Sequence, residues 1–154
     1  MQQKRRNLLL TLAFAVTMPL LAANCHAELG GMVSTIANDQ ARMLASRRVE
    51  AGSAFSRHVI TTPAGVEVTE FVAPSGIVFA VTWQGPTKPD LEQILGNSFE
   101  AFRSAILAQT NPRRAFSLEQ ADLVIRSGGH MRAFSGMAYL PQQLPAGVTV
   151  QDIR

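Results

Sequence analysis

From Ser53 to Trp83 the chain alternates apolar and polar residues in three runs, SAFSRHVITT, VEVTEFVA and IVFAVTW, separated by PAG and PSG. Alternation with a period of two puts every second side chain on one face of a strand. Proline presets φ and glycine accepts positive φ, so each Pro-x-Gly reads as a tight reversal. The pattern predicts a three-stranded antiparallel meander. In its third run Ile77, Phe79, Val81 and Trp83 fall on one face, with Val78, Ala80 and Thr82 on the other. Both faces are apolar or small, which predicts a central strand covered on both sides.

The period lengthens at TKPDLEQILGNSFEAFRSAILAQTNP, where Leu91, Leu95, Phe99, Phe102 and Ile106 make one helical stripe. Thr87 is the expected cap, with Asp90 as its reciprocal partner. Pro89 suits a first turn, and Asp90 and Glu92 suit the positive end of the helix dipole. Gly96 and Asn97 weaken the middle, and Asn111-Pro112 ends the helix. Beyond it, DLVIRS and MRAFSGMAYL predict a second hairpin, PQQLPAGV a proline-rich exit, and TVQDI a last edge strand. Between Ser34 and Ser46, weaker spacing of Ile36, Gln40, Met43 and Leu44 predicts a short helix. The expected fold class is α+β: a three-stranded meander plus a later hairpin, packed against one long helix.

The N-terminus carries a different signal. Lys4, Arg5 and Arg6 precede an uncharged run from Leu8 to Ala22, followed by ANCHAEL. This is the layout of a secretory signal peptide, and the run is short for a membrane-spanning helix. Cleavage is expected after Ala27, giving a leader over 1–27 and a single domain over 28–154. The protein is then periplasmic or secreted, with no integral membrane segment left after cleavage. Lipidation at Cys25 fits poorly, because Asn24 rather than a small residue precedes it.

The leader changes the charge argument. The whole chain carries a formal +3, but the leader holds three of its 14 basic residues and none of its 11 acidic ones. What remains has equal numbers of each sign. The basic balance is therefore no argument for nucleic acid as a partner. Cleavage also removes Cys25, the only cysteine, and with it any disulfide or thiol nucleophile.

Candidate chemistry is sparse. In Ser127-Gly128-Gly129-His130 two readings compete: a two-residue Gly-Gly hairpin turn, or an anion nest of glycine amides with Arg132, with His130 as acid or base. Glu70 shares a strand face with Val66, Val68 and Val72. It is expected either to pair with an arginine such as Arg126 or Arg132, or to act in catalysis with a raised pKa. Trp83, followed by Gly85-Pro86, belongs either to the core or to the rim of a ligand cleft. No serine sits in a Gly-x-Ser-x-Gly elbow, and neither a phosphate loop nor a metal-ligand spacing is present, so no metal and no cofactor is expected.

VFAVTWQGPTKPDLEQILG, LVIRSGGHMRAFSGMAYLP and LPAGV, in that order, resemble a family of small exported bacterial proteins catalogued as domain of unknown function 2844. ELGG after the cleavage point belongs to the same likeness. Met137 stands where that pattern leads one to expect arginine, which weakens any role for a second cation beside Arg132. The resemblance implies export and a single domain, and it brings no activity, substrate or catalytic residue.

The function expected from these features is a non-catalytic binding or accessory module of the cell envelope. Trp83, Gly128, Gly129, His130 and Arg132 are the expected ligand contacts. The partner is an envelope protein, a surface polymer or a small anion. The competing expectation is a small hydrolase or lyase using His130 with Glu70 or Asp122.

Overall fold

The computed structural model describes residues 28–110 and 115–153. The expected leader over 1–27, with Cys25, and the helix stop at Asn111-Pro112 lie outside the described residues. Among those described, seven strands form one antiparallel sheet: β1 (Ser46–Ala51), β2 (Ser56–Thr61), β3 (Glu67–Val72), β4 (Val78–Gly85), β5 (Phe116–Glu119), β6 (Val124–His130) and β7 (Ala133–Tyr139). Their order across the sheet is β1-β2-β3-β4-β7-β6-β5. The meander and the later hairpin are thus parts of one sheet, joined where β7 pairs with β4. β4 is the middle strand, as its two apolar faces predict.

Helices cover one face. α1 (Ile36–Arg42) follows a 3-10 turn over Val33–Thr35. α2 (Leu91–Leu95) continues through a 3-10 turn over Gly96–Ser98 into α3 (Phe99–Leu107). Ile36, Ile94, Leu95 and Phe102 pack there against Ile60, Val68, Val81, Trp83, Ile125 and Ala138. Ile94, outside the predicted stripe, is buried, while Ile106 at its end is exposed.

The cap is one turn later than expected. Asp90, not Thr87, accepts the Gln93 backbone N–H at 3.2 Å. The helix therefore starts at Leu91, and Pro89 precedes it rather than filling its first turn. Gly96 sits at φ 50°, where glycine carries no Cβ penalty, and it marks the break between α2 and α3. The short predicted helix stops at Arg42, because Leu44 takes φ 50° and turns the chain into β1. Leu44, expected on the apolar side, is exposed.

The alternation breaks once, in β4. Phe71 opposes Ala80 but Val72 opposes Val78, so Phe79 is an extra residue in β4. Such a bulge shifts the alternation by one. Phe79 therefore points with Ala80 into a second core with Phe71 and Tyr139, not with Val81 and Trp83. TVQDI is not an edge strand. Val150–Ile153 form a 3-10 turn, held by Asp152 Oδ2, which accepts from the Thr149 backbone N–H at 2.8 Å and its hydroxyl at 2.7 Å. Those bonds hold the Asp152 carboxyl below its ordinary pKa. The turn seats Ile153 in the second core, on the face opposite the helices.

Candidate functional site

The second core covers only one end of that opposite face. The rest is a trough of about 890 Å³, lined by residues from β1 at one edge to β5 at the other. A single cavity can touch both edge strands only if the sheet curls around it. The pairing registers give the trough its floor plan. Its middle row runs Arg48, Val59, Thr69, Thr82, Met137, Arg126, Ser117 from edge to edge. The next row toward the mouth runs Thr61, Glu67, Gln84, Ser135, Gly128. The inner row, beside the plugged end, brings Glu50, Arg57 and Phe71 together.

Each bank carries an ion-pair cluster. Arg48 lies 2.9 Å and Arg57 3.1 Å from opposite oxygens of Glu50. Across the trough Arg126 Nη2 donates to Glu119 Oε1 at 2.8 Å. That carboxylate raises the Arg126 pKa further, so the guanidinium is charged at any working pH. On the floor Gln84 Nε2 donates to Glu67 Oε1 at 3.1 Å. At the mouth, a second hollow of about 530 Å³ shares Glu67, Gln84 and Ser135 with the first and adds Arg132 and Phe134. Lys88 Nζ stands 5.5 Å above the Phe134 ring.

Of the residues expected to bind ligand, Trp83 and Gly128 line the trough and Arg132 the adjoining hollow. Trp83 lies within β4 beside the trough, but it is only 2 % exposed and its ring packs in the helix-side core. It lies against Gly136, its cross-strand partner, where any Cβ would overlap the indole. Gly128 and Gly129 are not the turn. They pair with Ser135 and Phe134 inside the hairpin, and Met131-Arg132 make the reversal, with Arg132 at φ 67°. Gly128 lines the trough, and Arg132 reaches its mouth. His130 is exposed at the strand end, its Nδ1 3.2 Å from the Met131 carbonyl oxygen.

The structure brings neither candidate carboxylate to His130. Register places His130 on the trough side of the sheet and Glu70 on the helix side. Asp122 sits before β6 and His130 ends it, with the strand's length of roughly 20 Å between them. Glu70 and Arg126 fall on opposite faces of the sheet, and Arg126 is held by Glu119. Glu70 instead stands opposite His58, both buried. Ser56 Oγ is 3.3 Å from His58 Nε2, and His58 Nδ1 has no hydrogen-bond partner among the described residues. Burial, and secondarily Arg47, lowers the His58 pKa. This Ser56–His58–Glu70 line escapes a reading of the sequence because the cross-strand register is what creates it. It faces the helix-side core rather than the trough.

Among the described residues no group of three or more His, Cys, Asp or Glu could hold a metal ion. No helix there is long and apolar enough to cross a membrane.

Residues 25–153 match the family described as protein of unknown function, DUF2844. The chain belongs to that family. No curated protein and no solved structure matches it. The match spans both banks of the trough and the turn that plugs it.

Proposed function

We propose that this DUF2844 protein is exported to the periplasm and serves there as a non-catalytic binding module of the cell envelope, with its ligand in the trough. The observation that carries the reading is the asymmetry of the sheet. Its helix face is closed by a mainly apolar core, whereas the trough face leaves about 890 Å³ open above a lining that mixes Thr69, Thr82, Gln84, Ser135 and arginines with Val59, Phe71 and Met137. Ligand sites are commonly concave, of about 300–1,000 Å³, with a few placed polar groups. The leader pattern at Lys4–Ala27 supports export. The hydrolase or lyase reading loses support, because neither Glu70 nor Asp122 stands beside His130 to orient the imidazole.

The test is paired capture from envelope extract, with the wild type and Thr82→Trp as baits and their melting curves compared first. Thr82 lies on the floor, so tryptophan there occupies the trough without touching the helix-side core. The wild type is expected to retain compounds or proteins that Thr82→Trp releases. Identical captured sets from two folded baits would rule the trough out. Mass spectrometry of native material is expected to find Glu28 as the first residue. A chain still beginning at Met1, or acylated at Cys25, would contradict export by simple cleavage.

A further inference from the structure

We propose that the trough selects a hydroxyl-bearing organic anion of small-molecule size, a carboxylate or a phosphate ester, held between Arg57 and Arg48 on one bank and Arg126 on the other. The inference rests on the trough being the binding site and adds the ligand's chemistry.

The two hollows are lined by Arg48, Arg57, Arg126 and Arg132 against Glu50 and Glu67, with Glu119 paired to Arg126, so the arginines outnumber the carboxylates by one. Past the leader the chain as a whole is balanced, so this face collects an excess of positive charge. Two guanidiniums share the carboxylate of Glu50, with Asp152, held by Thr149, the next carboxylate on that bank.

Arg48 and Arg126 stand in the same cross-sheet row. Laid flat, the six strands from β1 to β6 would hold them about 24 Å apart. The curl brings both to the walls of one cavity. Guanidinium forks match planar carboxylate and phosphate oxygens, and an incoming anion can take the place of Glu50 or Glu119. These ion pairs are exposed, at 65 and 36 % for Arg48 and Glu50 and 47 and 60 % for Arg126 and Glu119, so they are weak competitors. Thr69, Thr82, Gln84 and Ser135 offer hydroxyl and amide partners for the rest of the ligand.

Titration calorimetry on the full chain, purified from the cells that make it, tests this with glucuronate, glucose 6-phosphate and glucose. At least one anion is expected to bind and glucose is not, and the two anions separate carboxylate from phosphate. Arg57→Gln and Arg126→Gln should each weaken binding tenfold or more. Arg103→Gln, on the exposed side of α3 beside Glu100, should leave it unchanged. Glucose binding as tightly as the anions, no binding by either anion, or arginine variants that keep full affinity would overturn the inference. Anion binding that survives Thr82→Trp would place the site elsewhere and overturn the trough reading too. Ser135→Trp, at an exposed position in the same trough, replaces Thr82→Trp if that chain melts early. Capture lost in the tryptophan variant, with no anion bound by the wild type, overturns only the ligand class.

Discussion

Gly136 carries no side chain because Trp83 needs its place. The indole lies where a Cβ would be, at the centre of the sheet. Gly136→Ala is expected to cost about 1–3 kcal/mol through overpacking. A lowered urea midpoint would show it, and Trp83, the only tryptophan, reports the same site by fluorescence. His58 makes stability depend on pH. Burial keeps its imidazole below the ordinary 6.5, so the unfolded chain takes up a proton first as pH falls. Stability is expected to be full above pH 6.5 and to decline below it, down to the lowered folded value. Urea midpoints from pH 7.5 to 5 should show that slope in the wild type, and His58→Leu should flatten it.

Among the elements, the helix start shows what local sequence decides and what it leaves open. Thr87 and Asp90 both have capping side chains, and only the path out of β4 selects Asp90. Asp90→Ala should lower stability by about 1 kcal/mol. Thr87→Ala should stay within about 0.5 kcal/mol, as at most surface positions, and thermal melts of the pair compare them. The meander, the hairpin strands and the long helix were legible because their periodicities are local. β1 was not, since SRRVEA exposes nearly every side chain and has no alternation to read. β5 has only four residues, too few to establish a period. The trough was hidden for a related reason. Thr69, Thr82, Gln84 and Arg126 look like ordinary outward positions until the register lines them up across seven strands. Gly128, Arg132 and Trp83 all border the cavity, although Trp83 keeps its ring in the helix-side core.

For the whole molecule, the two sheet faces are finished differently. One is closed by helices, the other by a short C-terminal turn that leaves most of it open. Ile153 is fully buried in that turn. Ile153→Ala is expected to cost about 2–5 kcal/mol, with denaturant titration as the check. The same change removes the inner wall of the trough, so any ligand found by calorimetry should bind Ile153→Ala more weakly at a temperature where the variant is still folded.

The extra residue in β4 carries a consequence for how relatives can diverge. Phe79 has no partner in β3, yet it decides which way Val78 points. Deleting it would exchange inside for outside at the start of the strand, where Gly30 and Gly31 bond to Val78. In an alignment of this family, gaps should therefore gather at the loops and avoid Phe79, even though a one-residue surplus looks like the easiest thing for a strand to lose.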